Sequence, residues 1–182
     1  MKRRLKTSQI ILFVIGMVLF LTGFGILSFM GIRKIRRDIH RQKLMKENTV
    51  VEIPELHIKA PVLEGVELSV LAEAAGHFPG TGAVGTGNYC IAGHSSVLYK
   101  EYFNNLKNAE NGMKILLYDS KGNEAEYYVA DKFIVNPDET WILDDFGDCR
   151  VTIVTCTDDG TQRHVIVGKP ASDDSQPTET TS

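Results

Sequence analysis

RVTIVTCTDDGTQRHVIV, residues 150–167, contains two runs rich in Val, Ile and Thr that are separated by a polar segment. β-Branched residues favour strands, and Thr157-Asp-Asp-Gly160 has the composition of a turn. The pattern predicts a β-hairpin that brings Arg163 opposite or close to Cys156 across the strand ends.

Cys156 is therefore expected beside a permanent cation. Beyond residue 46 the chain has nine basic side chains, and the only arginines among them, Arg150 and Arg163, both flank this cysteine. A partly exposed thiol next to a guanidinium is a typical environment for a reactive thiolate.

The rest of the body alternates short strand-like runs with Gly- and Pro-rich turns. This pattern predicts a β-barrel or sandwich decorated with short helices. The strands are expected at 50–53, 58–62, 88–92, 113–118, 124–135, 150–156 and 163–168, and the helices at 67–75 and 99–106.

The N-terminal part of the chain has a different character. Residues 10–32 form an uncharged, mostly apolar run of 23 residues. As a helix it spans roughly 34 Å, enough to cross a hydrocarbon core of about 30 Å. The apolar part of a cleaved signal peptide is shorter and precedes a small-x-small site, so a retained membrane anchor is favoured.

Charge is divided unequally along the chain. Residues 1–46 carry eleven Lys or Arg and one acidic residue, whereas residues 47–182 carry nine Lys or Arg and twenty-two Asp or Glu. An acidic body argues against nucleic-acid binding, because a nucleic-acid binder needs its positive patch on the folded domain. A basic stem suits an anionic membrane surface.

A nucleophilic cysteine usually works with a histidine. His94 is the favoured partner because it ends the strand-like run 89–94, just after a glycine, where side chains often line a site. The other histidines are less favoured. His40 lies in the stem, too close to the membrane, and His57 is most simply a surface residue. His77 precedes a turn and could be structural, and strand alternation places His164 on the face opposite Arg163.

The two remaining cysteines, Cys90 and Cys149, could pair, but two buried thiols that act as small hydrophobes are favoured. No short-spaced ligand pair indicates a metal site. We expect neither a metal nor a cofactor.

Taken together, Ile-Ala-Gly-His94, Thr152-Ile-Val-Thr-Cys156 and Arg163 resemble the motifs of the sortases, the cysteine transpeptidases of Gram-positive surfaces. Ile153 replaces the family's Leu. The resemblance covers about residues 50–169. Supporting matches are 53–58 and 61–65 near its start, 76–81 before the histidine run and 102–107 after it.

The resemblance implies a closed eight-stranded β-barrel and three catalytic residues: Cys156 as nucleophile, His94 as proton donor to the leaving amine, and Arg163 as the group that holds substrate and oxyanion. Ala92 and Thr155 are expected to bind substrate. The implied reaction cleaves an LPxTG-like sorting signal between Thr and Gly through a thioacyl intermediate. The acceptor is an amine of a cell-wall precursor or a pilin, and the donors are surface proteins that carry the signal.

The expected domain organisation follows. Residues 1–9 form a short cytoplasmic N-terminus, 10–32 the transmembrane anchor, 33–49 the basic stem, 50–169 the catalytic barrel and 170–182 a disordered tail. By charge count alone the body would be cytoplasmic, because seven basic residues follow the span and four precede it. The resemblance instead implies an extracytoplasmic body on a single-pass membrane protein.

The subclass is narrowed by two further features. The segment 136–148 is short, and no second hydrophobic span follows it. These features resemble class A, D or E sortases more than class B or C.

Two alternative functions are also compatible with the sequence. One is an unrelated cysteine hydrolase or acyltransferase, such as an L,D-transpeptidase, although the Ser-x-Gly-Cys-like context of those enzymes is absent. The other is a membrane-tethered β-barrel binding module without activity. Selective alkylation of Cys156 near neutral pH would separate an enzyme from such a module.

Overall fold

The computed structural model describes residues 7–95 and 101–171, with side chains from Phe13 onward. It divides into two units, residues 1–42 and 43–182. Our predictions for residues 1–6 and for the tail from residue 172 fall outside the described residues.

The described part of the N-terminal unit is helical: helix α1 runs from Thr7 to Glu47, past the boundary between the units at residues 42 and 43. From Phe13 it contains an 18-residue window with a mean hydropathy of 2.3, which is long and apolar enough to cross a membrane. Within this run, the Thr22 hydroxyl donates to the carbonyls of Val18 and Leu19, so this polar group is satisfied inside the helix.

The second unit is built on a closed barrel of eight strands, as expected. Its strand order is β1-β2-β3-β4-β7-β8-β6-β5. The pairs β2–β3 and β4–β7 are parallel, and the other pairs are antiparallel. The strands are β1 Thr49–Ile53, β2 Ile58–Glu64, β3 Ala75–His77, β4 Asn88–Gly93, β5 Lys114–Tyr118, β6 Glu124–Val135, β7 Arg150–Cys156 and β8 Arg163–Lys169.

The two faces of β7 bury different clusters. Val151 and Ile153 belong to the main core, to which all eight strands contribute or pack. Val154 belongs instead to a second cluster with Val165 and Ile142. Because side chains alternate along a strand, the first set points into the barrel and the second lies on its outer face.

The outer cluster is covered by the β6–β7 segment, which we define as residues 136–149. This segment contains a short 3-10 helix, Trp141–Leu143. Burial of an aliphatic side chain such as Ile142 contributes about 1.5–3 kcal/mol. The segment is thus packed onto the barrel by apolar contact.

The structure corrects two local predictions. Strand β3 was not predicted, and the helix expected at 67–75 is limited to α2, Leu68–Leu71. Ala75–His77 pairs with β2 and also with β4, and these long-range ladders override the local pattern. Gly76 permits this close packing, since a Cβ there would overlap the Gly65 carbonyl.

The helix expected at 99–106 is also not regular where it is described. Residues 102–105 form turns, and the 3-10 helix Leu106–Asn108 follows. Asn105 anchors this stretch by donating from Nδ2 to the Leu56 carbonyl at 3.1 Å. The apolar residues Phe103 and Leu106 still enter the core.

Candidate active site

Three strand ends meet at one end of the barrel. In the parallel pair β4–β7, Gly93 lies opposite Thr155, so the next residues, His94 and Cys156, leave the two strands side by side. In the antiparallel pair β7–β8, Cys156 lies opposite Arg163. Neighbouring strands are about 4.8 Å apart, so the three residues form a short row with the cysteine in the middle.

The row lies on the outer face of the barrel. Cys156 and Arg163 continue the alternation of Val154 and Val165, which belong to the outer cluster. His94 follows Ala92, which is the partner of Val154. All three candidate catalytic side chains therefore share a face that a ligand can approach.

A cavity of about 110 Å³ begins beside this row. Arg163 and Val154 lie on the barrel side of the cavity. Phe78, the residue directly after β3, also lines it. The β6–β7 segment supplies most of the opposite wall, including Pro137, Ile142 and Leu143. The cavity is mostly apolar, and the Arg163 guanidinium also lines it.

Arg163 is oriented by its own turn. Nη1 donates to the carbonyls of Gln162 at 2.9 Å and Gly160 at 3.2 Å. Within residues 7–95 and 101–171, these bonds leave Nη2 and Nε available to a ligand. A half-buried guanidinium held in this way is preorganised to donate to a carbonyl or an oxyanion.

The loop between β7 and β8 is internally bonded. The Thr157 and Thr161 hydroxyls donate to Asp159, and these bonds hold the pKa of Asp159 down at about 2. Lys107 and Asp158 pair at 2.6 Å, which connects the loop to the 3-10 helix Leu106–Asn108. The two residues at the ends of the loop, Cys156 and Arg163, are thus joined by an ordered turn.

The predicted substrate contacts have different environments. Ala92 is half-buried on the site face, two residues before His94. Thr155 is only 3% exposed, and its hydroxyl donates to the Gly93 carbonyl at 2.8 Å. The Thr155 side chain is therefore turned into the protein, and substrate binding by this residue stays a prediction. Its bond ties together the residues that precede Cys156 and His94.

The other barrel histidines have different environments. His77 stacks on Tyr89, and its Nδ1 lies 2.8 Å from Glu64 Oε2. His57 has a positive φ of 54° at the end of a 3-10 helix. His164 lies opposite Thr155, and its pKa is lowered by burial and by the Lys132 ammonium. Of the histidines in the barrel, His94 is the one placed beside Cys156.

All three cysteines are free. Cys90 is fully buried, which raises the pKa of its thiol to about 11. Cys149 is half-buried, with its Sγ 3.9 Å from the Tyr127 hydroxyl. Cys156 is half-buried at the strand end and shares its face with the cavity. Within the described ranges no His, Cys, Asp and Glu cluster is arranged to hold a metal ion.

Sequence analysis missed two contributors to this site. Phe78 lines the cavity, and Asn88 bonds to the segment that forms its wall. Asn88 had a usable signal, because it is a polar residue that opens an otherwise apolar buried strand. A buried amide must have hydrogen-bond partners, and they are often supplied by an irregular segment.

Comparisons with known proteins agree with this architecture. A family model described as the sortase domain matches residues 51–171. Sortase A of Bacillus anthracis is 32% identical over 120 residues, which are 65% of this chain and 57% of that protein. The chain spans about half the length of the curated relatives it matches: 57%, 49% and 54%.

Solved structures are similar over most of the barrel. Sortase A of Listeria monocytogenes matches with a TM-score of 0.65 and 26% identity, covering 70% of this chain and 88% of that one. The sortase D5 transpeptidase of Clostridium perfringens matches with a TM-score of 0.62 and 26% identity, covering 74% and 89%. Because the family model also matches more than half of the residues, this chain belongs to the sortase family.

Proposed function

We propose that this protein is a membrane-anchored cysteine transpeptidase with Cys156 as nucleophile, His94 as acid and base, and Arg163 as oxyanion donor. The observation that carries the proposal is the register of β4, β7 and β8, which sets these residues side by side on one accessible face. Membership of the sortase family supports it.

The first half-reaction needs a thiolate and an acid. The Cys156 thiolate attacks the scissile carbonyl, a C–S bond forms, and the carbonyl electron pair moves to oxygen. Arg163 donates hydrogen bonds to this oxyanion. When the C–N bond breaks, the His94 imidazolium gives its proton to the departing amine and leaves a thioacyl enzyme.

The second half-reaction reverses the roles. An acceptor amine attacks the thioacyl carbon, and neutral His94 takes the proton from the attacking nitrogen. The new C–N bond forms as the C–S bond breaks, which returns the thiolate. Cys156 and His94 begin and end the cycle in the same protonation states.

The cavity supports an LPxTG-like sorting signal as the donor. Its apolar walls around Val154, Ile142 and Leu143 suit the Leu and Pro side chains, and Arg163, which also lines the cavity, would donate to a backbone carbonyl near the cleavage point. Cleavage would fall between Thr and Gly. Ala92 would contact the peptide beside His94, while Thr155 would support the strand ends.

The proposed partners are surface proteins that carry the signal, and an amine of a cell-wall precursor or a pilin. The proposed location is the cell membrane, with residues 10–32 as a single span, 33–49 as the stem and an extracytoplasmic body over 50–169. The apolar helix and the family support this topology. Protease added to intact, wall-stripped cells should remove the body. Protection until lysis would contradict this orientation.

The activity is tested with the full chain in detergent and a library of pentapeptide sorting signals. The expected result is cleavage of an LPxTG-like peptide and its transfer to an added amine, with loss of both reactions in Cys156→Ala. A covalent thioacyl adduct on Cys156 should be detected by mass spectrometry. Cleavage by Cys156→Ala, or an adduct on Cys149, would overturn the assignment.

A further inference from the structure

Asn88 uses both ends of its side chain amide inside the protein. It opens strand β4 and is 2% exposed. Nδ2 donates to the carbonyls of Ile142 at 3.0 Å and Asp144 at 2.9 Å. Oδ1 accepts a hydrogen bond from the Thr152 hydroxyl at 2.7 Å. One buried amide thus joins β4, β7 and the β6–β7 segment.

These bonds satisfy the backbone of a segment that has no ladder of its own. The β6–β7 segment crosses the outer face of the barrel, where the Ile142 and Asp144 carbonyls have no strand partner in the described pairings. The bond to Ile142 is buried and the bond to Asp144 is partly buried. Carbonyls withdrawn from water need donors, and an Asn amide supplies two from a single nitrogen. These bonds therefore fix the distance between the β6–β7 segment and the outer face of β4 and β7.

The same segment is the wall of the cavity beside Arg163. Ile142 and Leu143 line that cavity opposite Val154. We propose that Asn88 is a positioning residue for substrate recognition, which sets the width of this cavity without touching the peptide. The proposal rests on the proposed function in one respect, namely that the cavity binds the sorting signal.

The orientation of the amide is determined by its partners. The Thr152 hydroxyl can donate to Oδ1, and the two carbonyls can only accept, so a flipped amide would set Oδ1 against two acceptors. Asn88→Asp keeps the size and shape of the side chain. Its carboxylate would face the Ile142 and Asp144 carbonyls without a proton to give, which should release the segment.

The chain provides its own reporter of this release. Trp141 is the only tryptophan in the sequence. It precedes Ile142 in the 3-10 helix, and its ring stacks on Phe133 with centroids 5.6 Å apart. Quenching of its fluorescence by acrylamide reports how closely the β6–β7 segment lies on the barrel, whether or not the protein is active.

The experiment compares the full chain in detergent with Asn88→Asp and with a matched control, Asn105→Asp. Asn105 also donates from Nδ2 to a backbone carbonyl, that of Leu56. For Asn88→Asp we expect KM for the sorting peptide to rise about tenfold or more while kcat changes by less than about threefold. The quenching constant of Trp141 should rise by about half or more, since the segment loses its anchor.

Two readouts separate positioning from general damage. Alkylation of Cys156 by a small reagent should proceed within about twofold of the wild-type rate, because the nucleophile is untouched. Asn105→Asp should match the wild type in KM and in Trp141 quenching. If Asn88→Asp does not fold, Thr152→Val removes the hydroxyl that orients the amide and should raise KM in the same direction.

Unchanged KM and unchanged Trp141 quenching in folded Asn88→Asp would overturn the proposal. A fall in kcat and in Cys156 alkylation with constant KM would also overturn it, because the effect would then lie on the nucleophile. A wild-type chain inert toward every sorting peptide would defeat the proposed function instead. In that case the Trp141 comparison alone would decide whether Asn88 holds the segment.

Discussion

The Thr155 hydroxyl donates to the Gly93 carbonyl at 2.8 Å, across the parallel pair β4–β7. This bond joins the residues immediately before Cys156 and His94. It lies at the last ladder position of β4, where strand ends separate most easily. This side chain hydrogen bond therefore reinforces, at the end of the ladder, the spacing between the proposed nucleophile and the proposed acid.

Thr155→Val should weaken the site and keep the fold. The substitution conserves shape but leaves the buried Gly93 carbonyl without this donor, which destabilises the protein by about 1–3 kcal/mol. We expect kcat to fall by about tenfold, because His94 is then less well placed for proton transfer. Peptide turnover and urea unfolding check this. Normal kcat in the variant would mean that the bond does not set the spacing.

Gly93→Ala should destabilise the protein more than the same substitution at a glycine with open space around it. A Cβ at this position would overlap the ring of Phe103, which is fully buried. Overpacking of this kind costs about 1–3 kcal/mol and displaces the ring. Urea unfolding measures the loss. A second substitution, Phe103→Leu, should recover part of the activity, and absence of recovery would contradict the steric explanation.

Cys156→Ala should abolish transpeptidation while the fold survives, since a half-buried strand-end thiol contributes little packing. Cys149→Ala and Cys90→Ala should remain active. Cys90→Ala is expected to lower stability by about 1 kcal/mol because Cys90 is fully buried. Turnover and thermal melting of the three variants test the assignment. Loss of activity in folded Cys149→Ala would contradict it.

Arg163→Lys should lower peptide turnover by about 10²-fold, the range for loss of an oxyanion donor, because an ammonium cannot reproduce the planar fork. Alkylation of Cys156 by a small reagent should continue. Arg150→Lys is the matched control at the other end of β7. There the guanidinium binds Asp148 through two nitrogens and lies 4.0 Å from the centre of the Phe146 ring.

We expect Arg150→Lys to retain turnover within about threefold, because its contacts are structural. The comparison uses one sorting peptide for both variants. Near-normal turnover by Arg163→Lys would remove Arg163 from the mechanism.

Asp148 should contribute to stability in a way that depends on pH. Bonds from Arg150 and Lys169 hold the pKa of its carboxyl at about 2 in the folded protein. Because the folded pKa lies below the unfolded value of about 3.9, the stabilisation is complete above pH 4 and is lost as pH falls toward 2. The side chain is 36% exposed, so solvent screening limits the effect to about 0.5–1 kcal/mol.

Asp148→Asn should therefore be less stable than the wild type at pH 7, and the two proteins should converge near pH 2. Urea unfolding at pH 7, 4 and 2 measures the difference. A constant difference at all three values would show that the ionised carboxylate is not the cause.

The local sequence pattern was sufficient to predict the hairpin of β7 and β8 and the long N-terminal helix. The alternation and turn composition of residues 150–167 predicted the hairpin that sets Cys156 opposite Arg163, and both strands lie where they were expected. The apolar run 10–32 likewise predicted the long helix. These features depend on neighbouring residues, because strand alternation, turn chemistry and span length are properties of short segments.

The position of His94 was decided by the tertiary structure. Sequence reasoning could favour this histidine, and the family resemblance added weight, but the parallel pairing of β4 with β7 brings it beside a cysteine 62 residues away. Strand β3, the pinned β6–β7 segment and the three bonds of Asn88 also join distant parts of the chain. Such contacts form only when the closed barrel brings their partners together, so the physical reason for the site lies in long-range pairing.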